Sequence, residues 1–148
     1  MNYKKIFNYL LCLLPWFISS IIFRVDTDYY KSLNLPFFAP IPILFPIIWT
    51  ILYILIAISI YMVFKNSTSN YKIYLLINYL SNQLYTLCFF VIKNNFLAFA
   101  DCLIVFISSL YLYIETKSMN NKASLYLIPY LIWNGFATIL SLAIFIMN

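Results

Sequence analysis

The chain alternates between long apolar runs and short polar stretches. Five of the runs approach the length of about 20 apolar residues that a helix needs to cross a bilayer. We therefore predict an all-α fold, an integral membrane bundle of five transmembrane helices that forms a single domain over residues 1–148. The predicted spans lie at about residues 6–23, 42–64, 73–92, 96–114 and 125–147.

The first run needs a separate argument, because a basic start followed by an apolar run also describes a secretory signal peptide. This run continues for about 18 residues and has no end of the A-x-A type. We therefore predict that it is a true membrane span. Pro15 lies within it and is expected to kink the helix.

The polar connections are short, so neighbouring helices are expected to run antiparallel. Basic residues favour the cytoplasmic side of a membrane. Six of the nine basic residues flank the N-terminus and the connections after the second and fourth runs. We therefore expect the N-terminus inside, and the first connection, residues 24–40, on the non-cytoplasmic side.

Proline is concentrated at the junction of this first connection and the second span. Four of the six prolines are found there: Pro36, Pro40, Pro42 and Pro46. Proline fixes φ and removes a hydrogen-bond donor, so this segment cannot form an ordinary helix along its whole length. A stiff, aromatic, non-helical segment before a membrane span is typical of a cap over a pocket.

Composition supports the membrane assignment and excludes several classes of protein. The chain is 65% hydrophobic and 9% charged, whereas soluble domains carry about 25% charged residues. The net charge of +5 comes from scattered basic residues rather than a continuous stripe, so we predict no nucleic-acid partner. The cysteines Cys12, Cys88 and Cys102 lie in apolar runs, as small hydrophobic side chains do.

No pattern of catalytic residues is found. The chain has no histidine, which is the commonest general base, and no cysteine has an obvious activating partner. No phosphate-binding loop or metal-ligand spacing occurs either. We therefore predict that the protein is not an enzyme.

Polar residues inside the spans are the next candidates, because each is costly in lipid unless it is paired. Asn82, Tyr85 and Phe89 share one face of the third span. The amide either bonds a neighbouring helix or presents a polar group to a ligand in an aromatic cavity. Asp101 is expected to be a structural hydrogen-bond partner, and Trp16 an aromatic anchor at the membrane interface.

Two further stripes indicate a flat ligand. Trp49 and Tyr53 are one turn apart in the second span. In the fifth span, Trp133 and Ala137 are one turn apart, and Leu140 continues the stripe. The small residue lets helices approach closely, or it leaves space beside the indole for a flat molecule.

Taken together, these residues resemble the TspO/MBR family, the tryptophan-rich sensory or translocator proteins, some of which bind benzodiazepine-type ligands. The family's first loop and second helix read approximately W-Y-x-x-L-x-K-P-x-W-x-P-P-x-x-x-F-x-P-x-W-x-x-L-Y. The matching positions here are Tyr30, Leu33, Pro36, Pro40, Phe45, Trp49, Leu52 and Tyr53. In the later helices they are Asn82, Phe89, Phe90, Asp101, Pro129, Tyr130, Leu131, Trp133, Phe136, Ala137 and Leu140.

The resemblance implies a pocket under the first loop that binds protoporphyrin IX, haem or sterol-like lipids, with no covalent cofactor. By position, the ligand-binding residues are Trp49, Tyr53, Asn82, Tyr85, Phe89, Trp133, Ala137, Phe38 and Tyr30. It also implies a homodimer that acts in transport or stress sensing, and we expect it in a bacterial inner membrane. The alternatives are a light- or oxygen-dependent porphyrin-degrading enzyme and a structural or assembly protein.

The chain departs from the family pattern mainly at the loop. Phe38 and Tyr85 stand where the family has tryptophan. Ile41 replaces the second proline of a pair, and Leu35 replaces a lysine. We therefore expect ligand choice to be the property in which this protein differs most from its relatives.

Overall fold

A computed structural model describes residues 3–148, and every regular element in this range is a helix. A 3₁₀ turn (Leu14–Phe17) joins the first two helices, and a π-helical turn (Leu87–Val91) extends the fifth. The helices are α1 (Tyr3–Leu13), α2 (Ile18–Ile22), α3 (Thr27–Ser32), α4 (Leu44–Val63), α5 (Ser69–Thr86), α6 (Asn95–Met119), α7 (Asn121–Leu125) and α8 (Ile128–Met147).

Four helical stretches are long and apolar enough to cross a membrane. They are Tyr3–Ile22, Leu44–Asn66, Asn95–Met119 and Asn121–Met147. The structure thus confirms an all-helical membrane protein with several spans. The third predicted span, residues 73–92, corresponds to α5 and its π-helical turn, which contain more polar residues and are not among the four.

The helix breaks at Pro15, as predicted, and side chains of α5 form hydrogen bonds with backbone groups at the break. The Tyr79 hydroxyl donates to the Pro15 carbonyl at 3.2 Å. The Gln83 amide donates to the Trp16 carbonyl at 3.3 Å and accepts from the Ser19 N–H at 2.7 Å. Polar side chains of α5 therefore satisfy backbone groups that a regular helix would pair internally, as lipid exposure requires.

The prediction for Trp16 was wrong. Its side chain is only 2% exposed, and its ring stacks on Tyr53 with centroids 5.6 Å apart. The 3₁₀ turn that follows Pro15 places the indole in the bundle interior, where it contacts rings of α4, α5 and α8. Trp16 is therefore a core residue and not an interfacial anchor.

The predicted polar connection between the fourth and fifth spans, Glu115 to Ser124, is almost entirely helical, so the predicted end of the fourth span was wrong. Helix α6 continues through Met119, and α7 starts after a single residue, Asn120. The Asn120 side chain accepts from the N–H groups of Lys122 and Ala123 at 3.0 and 3.1 Å, which caps α7. Polar residues continue the helix beyond the apolar run, so the run alone does not mark the helix end.

The first connection contains a short helix, α3, that is not evident from the hydrophobic pattern. Asp26 caps α3, since its Oδ1 accepts from the Tyr29 N–H at 2.9 Å. Beyond Leu33 the chain is irregular until α4 begins at Leu44, in agreement with the proline-rich sequence. We call residues 26–43 the lid, because they cover one end of the bundle.

The long helices pack in pairs, with α5 along α6, α6 along α8, and α1 along α4. The interior holds several small polar side chains, including Asn78, Ser108 and Thr116. Large apolar side chains are exposed on the outside of the same helices, for example Ile104 on α6. Apolar residues outside and paired polar residues inside are the distribution expected of a protein surrounded by lipid.

Candidate ligand-binding cavity

A cavity of about 570 Å³ lies beneath the lid, between α2, α4, α5, α6 and α8. Its volume falls within the range of about 300–1,000 Å³ that is usual for small-molecule sites. Eight of the nine residues predicted to bind ligand line it: Tyr30, Trp49, Tyr53, Asn82, Tyr85, Phe89, Trp133 and Ala137. The structure thus brings together residues from the lid and three long helices.

Phe38 is the ninth predicted residue, and the structure places it outside the cavity lining. Its ring packs edge-on against Phe136, with centroids 6.2 Å apart. Phe136 in turn contacts Trp133 at 5.2 Å, so Phe38 reaches the cavity only through a second aromatic ring. Proline on either side of it, at Pro36 and Pro40, holds the backbone in this irregular part of the lid.

Nine aromatic side chains line the cavity. Trp49 and Tyr53 lie on one side with ring centroids 5.4 Å apart, as their spacing of one helical turn predicts. Tyr85 on α5 and Phe89 in the π-helical turn stack nearly parallel at 5.6 Å. Rings arranged in this way offer flat apolar faces to a planar molecule.

A chain of buried hydrogen bonds forms one side of the cavity at the level of Asn82. The Tyr53 hydroxyl donates to Asn82 Oδ1 at 2.9 Å, and Asn82 Nδ2 donates to the Tyr130 hydroxyl at 3.3 Å. Tyr130 donates to Asn78 Oδ1 at 2.8 Å. Asn78 Nδ2 then bonds the Val105 carbonyl at 3.0 Å. The Asn82 amide is therefore held in one orientation at the cavity surface.

Two donors on α8 belong to cavity-lining residues and have no partner within residues 3–148. They are Nε1 of Trp133 and Nδ2 of Asn134. Buried polar atoms normally find a partner in the protein or from outside it. Each of these two atoms is itself inaccessible to solvent, so it lies behind the cavity surface rather than on it.

Asn134 was not predicted as a cavity residue, although its spacing in the sequence indicates it. Asn134 follows Tyr130 by one turn and precedes Ala137 by three residues, so it lies on the same helix face as both. Its side chain is only 2% exposed. The stripe of Trp133 and Ala137 is therefore wider than predicted and includes an amide.

The π-helical turn shapes the upper part of the cavity. The N–H of Ile92 bonds the carbonyl of Leu87 at 2.9 Å, five residues earlier instead of four. Phe89 and Phe90, both within the turn, line the cavity. Turns of this kind occur frequently at functional sites.

The buried acid of α6 does not line the cavity. Asp101 is 7% exposed, and its Oδ2 has no hydrogen-bond partner within residues 3–148. Ser141 on α8 is likewise buried, outside the lining and without a partner for its hydroxyl in that part of the chain. A structural role for Asp101 stays a prediction.

The lid is fixed over the cavity from inside. The Tyr30 hydroxyl donates to the Pro40 carbonyl at 3.0 Å and so joins α3 to the irregular segment that follows. The Tyr30 ring is 4% exposed and packs edge-on against Phe45 at 5.4 Å. Tyr30 therefore forms the roof of the cavity.

Two sets of polar contacts hold the outer surface of the lid. At its start, Lys93 forms an ion pair with Asp26 at 2.9 Å. The N–H of Tyr29 and the Lys93 ammonium hold the pKa of the Asp26 carboxyl below its ordinary value. Further along, the Asn148 side chain accepts from the Asn34 N–H at 2.9 Å and donates to the Asn34 carbonyl at 3.0 Å.

These features define a class of protein: a multi-pass helical membrane protein with an aromatic cavity under a proline-rich lid. The sequence profile of the TspO/MBR family matches residues 8–147. The chain therefore belongs to the TspO/MBR family, as its motifs predicted.

Several relatives support this assignment. The tryptophan-rich protein TspO of Bacillus cereus is 35% identical over 136 residues, which cover 90% of this chain and 89% of the relative. The uncharacterized membrane protein YtaB of Bacillus subtilis is 39% identical over 131 residues, with 86% and 84% covered. A TspO protein of the archaeon Archaeoglobus fulgidus is 31% identical over 157 aligned positions, with 100% and 99% covered.

Proposed function

We propose that this protein binds a tetrapyrrole in the cavity beneath the lid and acts in its transport or in stress sensing. The observation that carries the proposal is the lining itself. Aromatic rings from several helices surround a volume of about 570 Å³, and the amide of Asn82, held by Tyr53, also lines it. A large flat molecule with few polar atoms suits such a surface.

The polar groups of the cavity favour a metal-free porphyrin as the first ligand to test. The chain has no histidine, so an imidazole cannot bind haem iron. Sterol-like lipids form a second ligand class, which the apolar lining also suits.

The proposal includes the arrangement in the membrane. We infer that α5 with its π-helical turn is a fifth crossing. Its polar residues Asn78 and Asn82 are buried, while Ile73, Ile77 and Leu84 are exposed on its outer side. We further propose a homodimer in a bacterial inner membrane, in line with the bacterial relatives.

Quenching of tryptophan fluorescence tests the proposal directly, because Trp49 and Trp133 line the cavity. Purified protein is titrated with protoporphyrin IX in neutral detergent, beside a Trp133→Ala variant. We expect saturable quenching in the wild type and weaker binding in the variant. Quenching that does not saturate and is equal in both proteins would overturn the proposal.

The complex with protoporphyrin IX also tests whether the protein only binds porphyrin or degrades it. We propose that the protein binds porphyrin without altering it, because no general base or activated nucleophile lies among the lining residues Ser19, Ser20, Cys102 and their neighbours. The porphyrin absorbance is followed under illumination, with free porphyrin in the same detergent as control. A faster loss in the complex would favour the porphyrin-degrading enzyme instead.

A further inference from the structure

The cavity lining contains one charged side chain among the residues that the structure describes. This is Lys31, in the last turn of α3. Thr27, four residues earlier, also lines the cavity, so one face of the lid helix borders it. Lys31 is exposed, whereas Tyr30 beside it is buried, which places the ammonium at the mouth and the phenol inside.

The ammonium of Lys31 has no acidic partner in the described part of the chain. The single ion pair found there joins Lys93 to Asp26. Asp26 and Asp28 border, together with Arg24, a neighbouring surface hollow that shares Val25, Thr27 and Phe90 with the cavity lining. Lys31 is therefore a cation at the cavity mouth whose charge is not used by the protein itself.

The cavity has an apolar interior and, at Lys31, a positively charged mouth. Its depth is lined by rings such as those of Trp49, Tyr85 and Trp133, where an unpaired carboxylate would be strongly disfavoured. At the mouth, water and the Lys31 ammonium favour an anion. A ligand that satisfies both environments has a flat apolar body and acidic groups along one edge.

We propose that Lys31 pairs with a carboxylate on the edge of the bound ligand and so selects ring ligands with an acidic edge over their neutral esters. This inference rests on the proposed function. It assigns a specificity role to a lid residue that does not belong to the aromatic wall.

A comparison of two ligands and several variants tests the proposal. Protoporphyrin IX and its dimethyl ester share the ring and differ in the charge of two side chains. Both are titrated by tryptophan quenching against wild type and Lys31→Met, in neutral detergent at low salt. Arg24→Met is the control, because it removes a cation from the same side of the membrane without touching the cavity lining.

We expect Lys31→Met to weaken binding of the diacid about three- to fivefold, as for an exposed ion pair, and to leave the ester unchanged. Lys31→Arg should keep the preference. The difference should shrink in 1 M salt, where the screening length falls to about 3 Å. Arg24→Met should bind both ligands as the wild type does.

Two results would count against the proposal in different ways. If Lys31→Met changes binding of the diacid and the ester equally, or changes neither, Lys31 does not read the acidic edge and the inference is wrong. If neither porphyrin quenches the wild type saturably, the proposed function itself fails, and the inference fails with it.

Discussion

The hydroxyl of Tyr53 donates a 2.9 Å hydrogen bond to Oδ1 of Asn82 and so joins α4 to α5 at the cavity surface. Because Oδ1 is occupied, the amide has one orientation, with Nδ2 directed to Tyr130. Asn82, which was considered as a polar contact to a ligand, thus also connects two helices. Both roles that were left open for Asn82 are compatible with this geometry.

We expect Tyr53→Phe to destabilise the protein by about 1–3 kcal/mol, because it leaves the buried Asn82 oxygen without a partner. Thermal unfolding in detergent measures the change. Tyr61→Phe is the matched control on the same helix, since the Tyr61 hydroxyl makes no hydrogen bond within residues 3–148. Equal melting temperatures for the two variants would contradict the prediction.

Asn78 and Asn82, one turn apart on α5, should separate stability from binding. Asn78 is fully buried and does not line the cavity, and its Nδ2 bonds the Val105 carbonyl and the Ser108 hydroxyl. We expect Asn78→Ala to lower stability by about 2–4 kcal/mol, because several buried groups lose a partner. Its porphyrin affinity, measured well below the melting temperature, should stay near that of the wild type.

Asn82→Ala is expected to behave differently, since Asn82 lines the cavity. Loss of one amide contact should weaken porphyrin binding about fivefold, which corresponds to about 1 kcal/mol. Fluorescence titration and thermal unfolding are measured on both variants. A folded Asn82→Ala protein with unchanged affinity would support a purely structural role for these amides.

The ion pair at the start of the lid predicts a dependence on pH. The pKa of Asp26 is lowered in the folded protein by the Tyr29 N–H and the Lys93 ammonium. Its contribution to lid stability is therefore fully present above the unfolded value of about 3.9. It is lost as the pH falls through the lowered folded value.

Hydrogen exchange of the α3 amides, corrected for intrinsic rates, measures this effect. We expect constant protection between pH 8 and pH 5 and a loss of protection only in the acid range below Asp26's ordinary pKa. Asp26→Asn keeps the cap oxygen but removes the charge, so its profile should be flat. A loss of protection in the wild type near neutral pH would rule out Asp26 as its cause.

From the hydrogen bonds between the Asn148 side chain and the Asn34 backbone of the lid, we predict an effect on the rate of ligand release. Asn148→Ala removes both side-chain bonds to the Asn34 backbone, whereas Asn34→Ala removes only the bond from its own amide to the Met147 carbonyl. We expect porphyrin to dissociate about two- to fivefold faster from Asn148→Ala, as loss of exposed hydrogen bonds suggests. Stopped-flow release measures it, and the effect of Asn34→Ala should be smaller. A larger effect of Asn34→Ala would show that the backbone contacts do not hold the lid.

The hydrophobic pattern predicted the long helices well, because membrane spans are set by length and apolarity alone. It failed where local hydrogen bonding decides. Helix α3 has six residues, too few for a periodic pattern, and depends on the Asp26 cap. The end of α6 lies in polar sequence, where Asn120 and not the apolar run stops the helix.

The cavity residues were predictable to the extent that they follow helical spacing from a tryptophan. Trp49 and Tyr53 were found in this way, and Asn134 could have been. Trp16 could not, because the 3₁₀ turn after Pro15 changes the direction of its side chain. The contribution of Lys31 was also hidden, since it depends on how the lid helix sits over the bundle.

The π-helical turn of α5 is geometrically equivalent to one residue inserted into an α-helix. Deletion of a single residue there, such as Val91, which is 52% exposed, would restore ordinary four-residue bonding. The chain would become shorter only before the turn at Lys93. Lys93 has a positive φ of 56°, and Asn94 after it caps the start of α6. The turn therefore lets this chain hold one extra residue between α5 and α6 without a shift of either helix, and it places Phe89 and Phe90 at the cavity.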